Sequence, residues 1–237
     1  MKIYLAMDDT DNLESRGTGK LARATGAEIA TRFPVDGISR HQLFVHEDIP
    51  PFTSHNSCAV IHIEAQERAD KEWIFETAKE CMLNDFIEGS DPPGIAVACA
   101  DEILPPLIAY GRDAQKIVLN QEKARTIAAN LGIRLEGLGG TEDGVIGTMA
   151  GLGLARGGGN DGRYLLCGKI RDLSGPADVE TLLEAGIDAV YTTDGHLLRD
   201  GHIIIDEGKS AKPCPVDGKK ILFVEHVDGQ YYAVKRG

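Results

Sequence analysis

"KIYLAMDDTDNLESRGTGKLARATGAEIATRFP", Lys2–Pro34, carries the pattern that decides the fold. The apolar, β-rich run Lys2–Met7 reads as a strand. Downstream, Leu21, Ala24, Ala27 with Glu28, and Ala30 with Thr31 recur at helical spacing, and Pro34 stops the helix. Between the two stand Asp8, Asp9 and Asp11, then Arg16, Gly17, Thr18, Gly19 and Lys20. Like charges set that closely repel one another, so the junction calls for something positive. Turning the chain and capping the helix accounts for one or two of the acids, but not for three within four positions. Carboxylates at a strand end are hard ligands suited to magnesium shared with substrate phosphates. Glycine-flanked amides opening a helix, with a lysine beside them, suit phosphate oxygens. Asp8, Asp9 and Asp11 are therefore the candidate metal ligands. Thr18 either contacts a phosphate or metal, or accepts a phosphoryl group itself; the plainer alternative is a helix N-cap.

Two better-known phosphate motifs do not fit this loop. A Walker A loop needs GxxxxGK[ST], but Glu14 stands at its first glycine and Leu21 follows Lys20. The DxDx[TV] pattern of haloacid-dehalogenase-type phosphatases breaks at Leu13.

Outward from this unit the pattern keeps switching between strand and helix. "CAVIHIEA" predicts a strand, and "DKEWIFETAKECMLNDF" a helix with Trp73, Ile74, Ala78, Cys81 and Met82 on one side. "GIAVACA", entered through Asp91-Pro92-Pro93-Gly94, is a short buried strand, and a helix starts at Pro105. "KIVL", an Asn120-capped helix stopped by Gly132, and "IRLEG" read as strand, helix, strand. Residues 132–168 hold 13 of the 28 glycines, a composition shift that marks a change of architecture. Beyond it come a strand in "DGRYLLCGKIRDL", a helix in "GPADVETLLEAGI", a strand in "DAVYTTDG" and a terminal hairpin turning at Asp228-Gly229. The class is α/β with mixed sheets.

Bulk properties narrow the function. The net charge is −12 and no dense Lys/Arg run occurs, so long nucleic acids are not expected as partners of the isolated chain. Five cysteines without a CxxC pair suit buried, reduced thiols in a cytoplasm. The N-terminus has no signal-like region and no apolar run has membrane-spanning length, so membrane attachment is not expected.

Two further stretches carry candidate chemistry. Thr53, Ser54, His55, Asn56 and Ser57 lead straight into an apolar strand; an Asx or Ser turn is the plain reading. In "GLGGTEDGVIGTMAGLG" an acidic turn, Gly139–Gly144, opens a helix whose Gly147, Gly151 and Gly153 allow a backbone or ligand to approach closely. Gly157-Gly158-Gly159 reads as a loop.

Taken in order, "DDTDN…RGTGKLA", "TSHNSCAV", "DPPGIAVA", "GTEDGVIGTMAGLGLA" and "DGRYLLCGKI" resemble the archaeal tRNA-Ile agmatinylcytidine synthetase family over roughly residues 1–170. That family uses ATP and agmatine to modify the wobble cytidine of an isoleucine tRNA. The resemblance implies a kinase-like ATP-binding domain (1–65 with 135–175), packed with a ferredoxin-like α+β subdomain (66–134). Residues 176–237 would form a small extension ending in the hairpin. It implies magnesium-ATP on Asp8, Asp9 and Asp11, with Thr18 in the nucleotide loop. Asp8, Thr18 and Lys20 are the candidate catalytic residues, and Arg16, Gly17, Gly19, Asn56, Ser57, Gly144 and Gly147 the candidate nucleotide contacts; His55 and the acidic turn Glu142-Asp143, which suits a cationic group, are the candidate substrate contacts.

The departures are specific. The chain has Thr53-Ser54-His55-Asn56-Ser57 where the family runs Thr-Arg-Gly-Asn-Gly, and Glu142-Asp143-Gly144 where it has Gly-Arg-Gly. The family's OB-fold and zinc ribbon have no counterpart in residues 171–237. The expected function is thus a magnesium- and ATP-dependent kinase- or ligase-like enzyme on a small, amine-containing substrate. The alternatives are an RNA-modifying enzyme that borrows its tRNA contacts from a partner, and a non-catalytic nucleotide sensor.

Overall fold

The computed structural model describes residues 1–8, 17–49, 56–84, 93–158, 162–173, 175–206 and 209–235. It divides into two compact units, Met1–Gly157 and Gly158–Gly237. The boundary falls near 157 rather than 175, and residues 66–134 share the sheet and core of residues 1–65.

In the first unit β1 (Lys2–Asp8), α1 (Thr18–Ala30), β2 (Val35–Gln42), β3 (Ser57–Glu64), α2 (Asp70–Asn84) and β4 (Gly94–Cys99) follow a βαββαβ order. Then come α3 (Pro105–Asp113), α4 (Gln121–Leu131), β5 (Arg134–Gly137) and α5 (Gly144–Gly157). Within the unit the strands lie in the order β5-β4-β1-β3-β2, each pair antiparallel. The ferredoxin-like arrangement therefore begins at β1 and spans Lys2–Cys99 instead of 66–134.

Alternation along the strands sends successive side chains to opposite faces. Tyr4, Ala6, Cys58, Val60, Ala96 and Ala98 join a core with α3, α4 and α5. Ile3, Leu5, Met7, Ile61 and Ile63 are equally buried, on the face that α1 and α2 cover. The buried stripe of α1 is Leu21, Ala22, Thr25, Gly26 and Ile29, while Ala24, Ala27, Glu28 and Ala30 are exposed. The expected register of this helix was thus turned to the wrong side. A Cβ on Gly26 would come within 2.9 Å of Ile38 Cδ1, so the helix settles where it has least bulk. On α2 it is Phe75, with Ile74, Ala78 and Met82, that is buried; Trp73 and Cys81 are half-buried.

β2 has no hydrophobic alternation to announce it. Its inward face carries Ser39 and His41, and the Ser39 hydroxyl lies 2.9 Å from His41 Nε2 and 2.8 Å from His62 Nε2, all three buried. One hydroxyl proton serves one ring and the oxygen accepts from the other, which satisfies polar groups that would otherwise be costly in a core. "KIVL" is not a strand. The amides of Lys116 and Ile117 instead bond to Asp113 O at 2.8 and 2.9 Å, in a turn that ends α3 and leaves Ile117 and Val118 exposed. Asn120 does cap α4, its Oδ1 accepting from Lys123 N at 2.9 Å, and Gly132 ends it in the left-handed conformation at φ 65°.

The second unit contains β6 (Arg163–Cys167), β7 (Ala177–Asp178), α6 (Val179–Glu184), β8 (Ala189–Thr192), β9 (Leu197–Leu198), β10 (His202–Ile204), β11 (Cys214–Val216), β12 (Lys219–Val227) and β13 (Gln230–Ala233). A mixed sheet runs β7-β10-β13-β12-β8-β9, with β11 also paired to β12. The hairpin turns at Asp228 (φ 48°) and Gly229 (φ 80°) as expected. All five cysteines are free thiols. Among the described residues no helix is long and apolar enough to cross a membrane.

Glu102 locks three elements of the first unit together. Its carboxylate accepts from Lys71 Nζ at 2.6 and 2.7 Å, Arg68 Nη1 at 2.6 Å and Cys99 N at 2.7 Å. Burial alone would raise its pKa, but these donors outweigh it and hold the carboxyl below the ordinary value of 4.5. A depressed carboxylate contributes stability above its unfolded pKa and loses it as pH falls through the folded one. Glu102→Gln is expected to cost about 1–3 kcal/mol in urea unfolding at pH 7. The difference from the wild type should shrink towards zero as pH is lowered below the glutamate range.

Candidate active site

A cavity of about 560 Å³ opens in the first unit where the ends of several elements meet. That is within the usual size of a small-molecule or cofactor site. Asp8, at the last residue of β1, reaches it beside Thr18, the first residue of α1. The opening turn of α5 contributes Asp143, Gly144, Ile146 and Gly147, and the start of β3 contributes Asn56 and Ser57. The sequence-predicted residues Asp8, Thr18, Asn56, Ser57, Asp143, Gly144 and Gly147, drawn from three distant stretches, are thereby brought together.

The position of Asp8 follows from glycine. β1 pairs with β4 so that Asp8 stands opposite Gly94. A Cβ on Gly94 would lie 2.3 Å from the Gly144 carbonyl carbon, so the start of α5 rests directly on that strand end. One turn later a Cβ on Gly147 would fall 1.6 Å from Asp8 Oδ2. The buried carboxylate thus occupies the space a side chain would take, fixed against the helix. Thr18 is also buried, and it is not the N-cap: Gly17 holds that position at φ 87°, and no side chain caps α1. A left-handed φ at Gly17 favours glycine over any other residue.

Other candidates have different roles. Glu142 does not line the cavity; it pairs with Arg125 of α4. Asp143 accepts from Gln121 Nε2 at 2.7 Å, an amide that also donates to Thr141 O at 2.6 Å. Gln121 therefore aims the Asp143 carboxylate, which can meet a cationic group in the cavity. Asn56 donates from Nδ2 to Phe44 O at 2.8 Å, and Ser57 Oγ accepts from Arg40 Nε at 2.7 Å. Both hold the cavity's wall in shape. Lys20 is exposed on α1 and, like Gly17 and Gly19, is not among the lining residues. Asp9, Asp11, Arg16 and His55 lie outside the described residues.

The sequence reading missed the apolar wall. Val45 and Ile49 come from the segment after β2, and Ile117, Val118 and Leu119 from the turn before α4. Phe44 N bonds Ala114 O at 2.9 Å and Gln115 Nε2 bonds Gln42 O at 3.2 Å, which ties the two segments together. The available signal was the apolar run Ile117–Leu119, too short for its own element and bounded by a turn and a cap. Polar oxygens and an apolar wall in one cavity suit a ligand with a charged end and a flat hydrophobic end.

Among the described residues no group of three or more His, Cys, Asp or Glu could hold a metal. Of the three expected ligands only Asp8 is described. Its carboxylate, with the Thr18 hydroxyl as a second oxygen in the same cavity, is a donor set of the kind magnesium prefers.

No protein-family model and no curated protein matches the chain. Solved structures do. The chain is similar in fold to apo TiaS, a tRNA-Ile agmatidine synthetase, with a TM-score of 0.55 and 18% identity over 65% of this chain and 35% of that one. It is similarly close to TiaS in complex with its isoleucine tRNA and ATP (0.56, 19%, 65% and 36%). The complex with tRNA, AMPCPP and agmatine gives 0.53, 19%, 64% and 36%. The fold behind the resemblance of the motifs is therefore shared. The chain spans about a third of the length of these structures.

The contact of Asp8 with Gly147 is testable by itself. Gly147→Ala is expected to destabilise the protein by about 1–3 kcal/mol, as overpacking does. In an Asp8→Ala background most of that cost should vanish, because only Leu43 Cδ1, the end of a flexible side chain at 2.9 Å, remains in the way. Urea unfolding of the two single variants and the double variant measures the coupling.

Proposed function

We propose that the chain is the ATP-binding part of an RNA-modifying enzyme that uses magnesium-ATP to join an amine to a tRNA-class substrate. The observation that carries this reading is the cavity at the end of β1, where Asp8 and Thr18 face the glycine-lined start of α5. It belongs to a fold shared with proteins solved with tRNA, ATP, AMPCPP and agmatine. The triphosphate would lie by Asp8, Thr18 and the amides of Gly144 and Gly147, and the base would lie on Ile117, Val118 and Val45. Magnesium on Asp8, with Asp9 and Asp11, would offset the charge that acids and phosphates bring together. Asp143, oriented by Gln121, is the carboxylate available to a cationic amine.

This reading replaces the expected one. A small molecule as sole acceptor, with nucleic acid set aside, rested on the net charge of −12 and the two replaced arginines. The related structures contain tRNA, which speaks against that exclusion. Net charge is a sum over the whole surface, whereas nucleic acid responds to the local field. The amine is kept as a co-substrate.

Two measurements bear on the proposal. ATP consumption is expected to require a tRNA fraction and an amine together with magnesium; turnover with amines alone would overturn the RNA part. Thr18→Ala is expected to lower that turnover by about 100-fold, the size of one lost transition-state contact, with Thr18→Ser keeping most of it. A Thr18→Ala variant that merely melts at lower temperature, with turnover within a few-fold, would make Thr18 a structural residue.

A further inference from the structure

The cavity at the end of β1 is acidic. Asp8, Asp48, Glu122 and Asp143 contribute carboxylates to its lining, and among the described lining residues His46 is the one side chain that can carry positive charge. Carboxylates repel a triphosphate, and a divalent cation offsets only part of that repulsion. Hydrogen-bond donors on the lining itself have to supply the rest.

His46 is held in a fixed orientation on that lining. It lies in the segment after β2, whose start is tied down by Leu43 N to Asn56 O at 2.7 Å, Phe44 N to Ala114 O at 2.9 Å and Asn56 Nδ2 to Phe44 O at 2.8 Å. Ile49 N closes the turn on His46 O at 3.1 Å. The imidazole stacks on the Phe44 ring, with centroids 5.4 Å apart and planes 22° from parallel. Its Nδ1 accepts from Asp48 N at 3.3 Å and lies 3.4 Å from Asp48 Oδ2. These contacts decide what the other nitrogen offers. While Nδ1 accepts from the Asp48 amide, the neutral ring carries its proton on Nε2. In the charged ring Nδ1–H faces the Asp48 carboxylate and Nε2 keeps its proton. Nε2 is a donor in either state.

We propose that His46 Nε2 donates to a phosphate oxygen of the bound nucleotide, which rests on the magnesium-ATP reading of the function given above. The segment that carries His46 begins at the phosphate end of the cavity. Leu43 Cδ1 lies 2.9 Å from the point where a Cβ on Gly147 would fall, and Asp8 Oδ2 lies 1.6 Å from that same point. Phe44 and Asp48 are then positioning residues: the first fixes the plane of the ring and the second its tautomer. A donor aimed at an ionised oxygen forms a stronger bond than one between neutral groups. Val45 and Ile49, on the same short segment, belong to the apolar wall, so the segment serves both ends of the ligand.

The test is calorimetric titration of the full chain with ATP and with adenosine, both in magnesium, for the wild type, His46→Ala, His46→Phe and His46→Gln. Circular dichroism checks that each variant is folded. His46→Ala and His46→Phe are expected to weaken ATP binding by about tenfold or more, the size of one lost bond to a charged group, and to leave adenosine binding unchanged. His46→Phe keeps a ring against Phe44, so its loss reports the N–H rather than the stacking. His46→Gln retains an N–H donor and should lose less than either. If the folded Ala and Phe variants bind ATP as the wild type does, the His46 contact falls while the ATP reading stands. If ATP and adenosine weaken by the same factor, His46 shapes the nucleoside end and the phosphate contact is overturned. If the wild type binds no ATP in magnesium, the ATP reading falls and this contact with it.

Discussion

The close seating of α5 on the sheet is the constraint from which the rest of the first unit follows. Gly94 lets the start of the helix touch β4, Gly147 makes room for the Asp8 carboxylate, and Gly151 lies where a Cβ would come 2.9 Å from Cys58 Sγ. On its other side Gly153 meets Leu107 O, where a Cβ would fall at 2.1 Å, and Gly111 of α3 meets Ala150 O in return. A helix that approaches this closely cannot shift without backbone collision. It is buried nearly all round, from Gly144 to Leu154.

That seating has a chemical consequence. It takes a carboxylate at a strand end, where it would ordinarily be solvated, and fixes it beside a second helix terminus bearing Thr18. In the function proposed above, a charge held there would be pre-positioned for a cation and a phosphate. The same docking places Asp143 next to α4, where Gln121 orients it, while Arg125 takes Glu142 out of the cavity. Two adjacent acids in one turn thereby acquire different roles.

Each unit carries locally matched charge. In the first, acids are matched to cations in networks such as Arg134 with Glu72, Glu76 and Glu136, whose guanidinium also lies over the Phe75 ring. In the second, Lys209 pairs with Asp206 at 2.9 Å.

The sequence by itself determined the α/β class, the strand–acidic loop–helix at the N-terminus, the Asn120 and Gly132 caps, the hairpin at Asp228-Gly229 and the close-packing glycines of α5. Each of these is a local signal, acting through periodicity, a cap or a turn over a few residues. It misplaced the buried face of α1, made a strand of "KIVL" and passed over β2, whose buried polar residues are satisfied by His62 on the neighbouring strand. Only the tertiary structure decided that Asp8 rests on Gly147, that Glu142 belongs to Arg125, and that Ile117 and Val118 face a cavity. These pairings join residues far apart in the chain, and their distances are set by strand register and helix docking.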